Sequence, residues 1–203
     1  MSVASSKSGI RILRARSVLL AGWLYLVPCI FAQNSAEPFS NLDLRLGLAR
    51  NVSTDPLLES WNPGIAALAD ASTSFYAGTI TLGVRYESYT PRQENLPAFR
   101  SVFARLGWGI RWIGPNRSIH ELGVEMGNVF MVFANTYSGT KTESELGLGL
   151  YYRLQMKVSP TVGIFVRGSY TGILTRNRLN LFHFSSGIVV ETRMPAWLKR
   201  ILE

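Results

Sequence analysis

Between residues 42 and 193 the dominant period of the chain is two. Leu42, Leu44, Leu46 and Leu48 alternate with Asp43, Arg45, Gly47 and Ala49, and Ile80, Leu82, Val84 and Tyr86 with Thr81, Gly83, Arg85 and Glu87. Val102 to Trp112 alternates with Ser101 to Arg111, and Leu146 to Met156 with Glu145 to Lys157. Such alternation marks strands with one apolar face, because helical spacing would scatter these leucines around a cylinder. Three further strands follow the rule less strictly, over 119–134, 161–174 and 179–193. The first is apolar on both faces from Val129 to Phe133, which predicts a bulge near Asn128. An eighth strand, about 63–72, shows only Ile65, Ala67, Ala69 and Ala71 as a face, and alanine patterns poorly.

The links between these strands fall into two kinds. Those at 51–62, 90–97, 135–142 and 175–178 include the longer ones and carry Trp61, Pro91 and Pro97. Those at 73–77, 114–117 and 159–160 are tight. Long loops on one rim and short turns on the other are the plan of bacterial outer-membrane barrels. The expected fold is all-β, an eight-stranded antiparallel up-and-down transmembrane β-barrel.

A lipocalin-like soluble barrel would share the alternation but put its apolar face inside, around a hydrophobic ligand. Three features favour the membrane form. The strands run to ten residues or more, where five or six is usual in globular proteins and about 9–11 span a bilayer. Glycines such as Gly83, Gly107, Gly109, Gly123 and Gly147 share the charged face, where small residues make room for long ones in a narrow lumen. Tyr86, Trp108, Trp112, Tyr152, Tyr170 and Phe182 stand on the apolar face as lipid-interface aromatics. The lumen is then expected to hold Asp43, Glu87, Glu121, Glu125, Glu145 and Glu191 against Arg45, Arg85, Arg105, Arg111, Arg153, Lys157, Arg167 and Arg193. Near-equal numbers predict an ion-pair network, because unpaired charges in a dry interior are costly. Eight strands enclose only enough room for side chains, so the lumen is expected not to conduct.

Residues 1–32 read as a secretory signal peptide. Lys7, Arg11, Arg14 and Arg16 precede the apolar run Val18 to Phe31, with cleavage expected after Ala32. The barrel domain is then 33–203, with a short periplasmic tail at about 194–203. Cleavage removes four basic residues and no acid, lowering the formal charge from +8 to +4. Nucleic acid therefore loses its main support as a partner. The single cysteine, Cys29, excludes a disulfide scaffold, and two histidines without partner thiols give no reason to expect a metal or other cofactor.

Signal peptide, cysteine-free remainder and eight alternating strands together resemble the small outer-membrane β-barrels of the OmpA-like and OmpX-like families over residues 42–193. The stretch Ser185-Ser186-Gly187-Ile188-Val189-Val190-Glu191-Thr192 is similar to the insertion signal read by the barrel-assembly machinery, although Thr192 fills its last hydrophobic position. The resemblance implies the outer membrane of a Gram-negative bacterium, with outer-membrane lipid and lipopolysaccharide as surroundings. The tail groups Trp197, Leu198, Ile201 and Leu202, a pattern suited to a helix at the inner membrane face.

His183-Phe184-Ser185 is similar to the His-x-Ser pair of the outer-membrane lipid A deacylases. A histidine two positions from a serine shares its strand face, so proton transfer is geometrically open to the pair. Ser186 and Gly187 depart from the Asn-Ala that follows in that family. The register turns His183 inward, and no acid is expected to orient it, since Glu191 lies eight residues along the strand. The expectation is a non-enzymatic barrel, structural or surface-binding in role. The loops at 51–62, with Trp61, and 135–142 are its expected contact surfaces. A lipid A-modifying enzyme and a soluble lipocalin-like carrier are the alternatives.

Overall fold

In the computed structural model the described residues are 37–54, 56–76, 78–137, 140–175 and 178–202, and the expected signal peptide lies outside them. The strands are β1 (Asn41–Asn51), β2 (Trp61–Pro63), β3 (Ile65–Phe75), β4 (Gly78–Pro91), β5 (Phe99–Ile113), β6 (Ile119–Tyr137), β7 (Thr140–Lys157), β8 (Val162–Ile173) and β9 (Leu179–Arg193). Each long strand pairs antiparallel with its neighbour, and β1 pairs β9 from Asn41↔Arg193 to Asn51↔His183, which closes the sheet. Closure removes the two free edges that an open sheet would carry.

The short β2 continues the line of β3 along β4. Pro63 opposes Tyr89 while Ala67 opposes Tyr86, so one extra residue is accommodated around Gly64. The Gly64 amide donates to the Ser88 carbonyl at 2.8 Å. This bulge reverses the alternation, leaving Trp61 and Ala66 both buried, and it is why the eighth strand reads poorly in sequence. With β2 and β3 counted as one, the molecule is a closed eight-stranded antiparallel β-barrel.

No bulge occurs at Asn128. Pairing of β6 with β5 is regular from Ile119 to Phe133, and with β7 from Ile119 to Val132. The irregularity comes later, between Val132 and Tyr137. Asn128 points outward and accepts a hydrogen bond from the Ser144 hydroxyl at 2.9 Å. Apolar residues on both faces of β6 have a different cause: Val129, Met131 and Phe133 are buried inside while Phe130 and Val132 face out.

The outer face is the leucine face. Leu46, Leu82, Leu106, Leu122, Leu150 and Ile164 are all more than half exposed, and together they girdle the barrel. The interior is the inverse of a lipocalin, with Arg45, Arg153, Glu121 and His183 almost fully enclosed. At the short-turn end, Asn116 and Arg117 adopt left-handed backbone in the turn Gly114–Ser118. Past β9 the chain forms a helix, Ala196–Leu202.

Candidate functional site

Along β4 the inward residues run Thr79, Thr81, Gly83, Arg85, Glu87 and Tyr89; along β6 they run Glu121, Gly123, Glu125, Gly127, Val129, Met131 and Phe133. Both progressions run from the short-turn end to the long-loop end. The lumen is therefore tiered, charged below and apolar above.

Nine charges of this tier form one connected network, from which Arg85 and the Glu87–His183 pair stand apart in the ion pairs. Asp43 Oδ2 accepts from Arg45 at 2.7 Å and from Arg111 at 3.0 Å. Arg111 also reaches Glu121 at 3.1 Å, and Glu121 meets Arg153 at 3.1 Å and the Tyr151 hydroxyl at 2.6 Å. Arg153 leads to Asp70, which also pairs with Arg105 at 2.5 Å and Arg167 at 3.3 Å. Glu125 joins Arg105 at 3.1 Å and pairs with Arg167. The guanidinium groups of Arg153 and Arg167 both lie over the Tyr151 ring, at centroid distances of 5.3 and 4.3 Å. Phe103 lies under Arg85 and Arg105 in the same way, at 5.3 and 5.9 Å.

Asp70 is the residue that sequence reasoning missed. It meets three arginines from three other strands, yet it lies on the alanine-rich strand, whose apolar face is the weakest of the eight. The signal was present in Asp70 and Ser72 alternating with Ala69 and Ala71.

Of the charges expected inside, Asp43, Arg45, Arg85, Glu87, Arg105, Glu121, Glu125, Arg153 and Arg167 are buried, and Arg111 stands at the mouth of a cavity of about 100 Å³ that opens at the short-turn end. Lys157 and Glu191 pair at 2.5 Å on that rim, both partly exposed, and Arg193 is exposed there. Glu145 points inward near the long-loop end, half-buried, with no ion pair among the described residues. Tyr86, Trp108, Tyr152, Tyr170 and Phe182 face outward. Trp112, half-buried, stacks on His120 at 5.5 Å, and His120 shares a 2.6 Å hydrogen bond with the Tyr152 hydroxyl.

His183 does have an acid partner, contrary to the sequence reading. Its Nε2 lies 3.1 Å from Glu87 Oε2, supplied across the lumen by β4 rather than along β9. The same carboxylate accepts from the Tyr89 hydroxyl at 2.6 Å, and Asn51 donates to that hydroxyl at 3.3 Å. Ser185 is also inward, but its hydroxyl donates to the Arg167 carbonyl at 3.3 Å.

The apolar tier closes the long-loop end. Trp61, Tyr89, Phe99, Phe103, Val129, Met131, Phe133, Ile173 and Leu181 form one buried cluster, with Leu57, Leu58 and Leu96 of the loops packed on it. Tyr89 and Phe99 stack at 4.4 Å, and Trp61 meets Phe99 edge-on at 5.6 Å. The Trp61 indole donates to the Pro97 carbonyl at 2.9 Å, joining the first long loop to the second. Trp61 is thus a core residue of the cap, not the exposed contact expected of loop 51–62, because the Gly64 bulge turns it inward. In the third long loop the strands extend to Tyr137 and from Thr140, and residues 138–139 lie outside those described. Among the described residues, no group of three or more His, Cys, Asp and Glu side chains is placed to hold a metal ion.

No protein-family model matches the chain, and no curated protein sequence matches it either. Solved structures do. Neisserial surface protein A superimposes with a TM-score of 0.55 at 13% identity, covering 74% of this chain and 95% of that one. Ail of Yersinia pestis, in complex with the heparin analogue sucrose octasulfate, gives 0.52 at 9%, covering 75% and 99%. The outer membrane protein OprG of Pseudomonas aeruginosa gives 0.50 at 10%, covering 77% and 98%. At such identities the likeness is one of architecture. The chain has the fold of the small eight-stranded outer-membrane β-barrels.

Proposed function

We propose that the protein is a non-enzymatic barrel of the Gram-negative outer membrane, with a sealed lumen and a structural or surface-binding role. The observation that carries this reading is the sidedness of the wall: leucine, isoleucine and valine outside, a dense ion-pair network inside, and an aromatic cap above it. Only lipid would cover so large an apolar belt without loss. Arg50, Arg100 and Arg178 point outward at the long-loop edge of that belt, the level at which phosphate groups of outer-leaflet lipid or lipopolysaccharide would lie. β9, which carries the insertion-signal-like stretch, forms the closing seam with β1, as a strand presented to the barrel-assembly machinery would.

An enzymatic role as a lipid A deacylase is disfavoured by where the pair points. His183 and Ser185 are both enclosed in the lumen, away from any acyl chain on the outer face. Neither hydrogen bond of the pair links the two residues to each other.

The test is membrane fractionation followed by gel migration of unboiled and boiled samples, with conductance recorded across a planar bilayer. A faster unboiled band from the outer membrane and a silent bilayer are expected. A soluble protein would overturn the placement, and sustained single-channel steps would overturn the sealed lumen.

A further inference from the structure

The helix Ala196–Leu202 hangs from the short-turn rim. The Met194 amide donates to the Ser40 carbonyl at 3.2 Å, and the amides of Leu198 and Lys199 donate to the Pro195 carbonyl at 3.0 Å, which starts the helix. Lys199 Nζ reaches Glu37 Oε1 at 2.9 Å. At roughly 100° per residue, Trp197, Ile201, Leu198 and Leu202 fall within an arc of about 140°, and Lys199 and Arg200 occupy the opposite side. That arc is largely uncovered: Trp197 is 65% exposed and Ile201 is 72% exposed. Both exceed most side chains of the leucine belt itself.

Among the described residues, the charge around this end is one-sided. The rim acids Glu37 and Glu191 are each engaged by a lysine, Lys199 and Lys157. Arg117, Arg193 and Arg200 remain, all exposed and without an ion pair among the described residues. A second aromatic set lies at the same end on the outer wall, where Trp112, His120 and Tyr152 group beside the turn Gly114–Ser118. An exposed apolar arc, arginines without an ion pair among the described residues and a set of outer-wall aromatics stand at the same end of the barrel.

We propose that this helix docks on an anionic phospholipid surface at the short-turn end, its Trp197–Ile201 side among the acyl chains and Arg193 and Arg200 on lipid phosphates. The assignment rests on the membrane-spanning reading of the barrel. A helix of this kind binds by buried apolar area together with attraction of its basic side to anionic headgroups. Docking fixes the end of β9, the strand that closes the barrel.

The test places the full chain in vesicles of brominated phosphatidylcholine, alone or mixed in equal parts with brominated phosphatidylglycerol. The emission of Trp197 is taken as the difference between the protein and its Trp197→Phe variant, and that of Trp108, on the outer wall, from Trp108→Phe. Quenching of Trp108 in both vesicles reports insertion. Quenching of Trp197 is expected to be at least about twofold stronger in the anionic mixture, and the Arg193→Gln/Arg200→Gln variant should lose that difference while Trp108 is unchanged. Quenched Trp108 with unquenched Trp197, or equal quenching of Trp197 in both vesicles, would overturn the proposal and leave the barrel reading standing. Trp108 unquenched in either vesicle would overturn both.

Discussion

Asp70 Oδ1 and Arg105 Nη2 meet at 2.5 Å directly over Gly83, which is the register partner of both on the strand between them. A Cβ at residue 83 would lie 2.1 Å from Asp70 Oδ1 and 3.2 Å from Arg105 Nε. The glycine is therefore part of the ion pair: its missing side chain is the space the pair occupies.

Gly83→Val should accordingly destabilise the barrel by about 1–3 kcal/mol for overpacking, and more if the pair breaks. Gly168 faces outward, and a Cβ there would meet only Phe182 at 3.6 Å, so Gly168→Ala should be near neutral. Urea titration of the fast-migrating unboiled band measures both. Equal effects of the two would contradict the role given to Gly83.

Removing the charge of Asp70 should cost far more than removing a rim charge. Asp70→Asn leaves Arg105, Arg153 and Arg167 enclosed with one carboxylate fewer, worth roughly 3–5 kcal/mol. Glu191→Gln breaks only the partly exposed pair with Lys157, worth about 0–1 kcal/mol. The urea midpoints of the two variants, compared in one lipid, decide whether Asp70 is the hub.

Leu148 lies outward on β7 and lines an apolar groove of about 570 Å³ on the outer wall with Leu106, Val124 and Leu150. In a bilayer Leu148→Arg should cost about 2–4 kcal/mol, the penalty for a basic residue on a lipid face near the midplane. If water covered that face, the same change would be harmless or would raise solubility. Folding yield into vesicles distinguishes the two.

The Glu37 carboxyl is held below its ordinary value of 4.5 by its hydrogen bond to Lys199 and by the charge of that ammonium. A depressed carboxyl contributes its stabilisation above the ordinary carboxylate range and loses it as pH falls through the lowered value. The tether of the C-terminal helix should thus be intact at neutral pH and released only in acid, and weakened by salt because the pair is exposed. Trp197 emission followed against pH should show one acid transition, absent in Glu37→Gln. A transition that persists in the variant would assign it elsewhere.

Much of this architecture is written in the period of two. It marks seven strands directly, and it sorts Asp43, Arg45, Glu121 and Arg153 from the leucines that alternate with them. It marks the eighth strand only weakly, for two reasons. Alanine is compatible with either side of a wall, and the Gly64 bulge reverses the pattern between Trp61 and Ala66. Trp61 and Asp70 are the two residues this hid. A Trp beside a proline-rich loop reads as exposed until the bulge turns it inward onto Phe99. Glu87 was legible as an inward acid, but its pairing with His183 was not, because the two strands are far apart in the chain.

Alone, the sequence determined which side chains share a face and where the chain turns, because strand geometry alternates side chains whatever lies around them. Only tertiary closure decided which acid meets which base and where charge gives way to an apolar cap. Those contacts cross a lumen, and their partners are set by the register of all eight strands together. A one-residue change such as the extra residue near Gly64 reassigns everything beyond it.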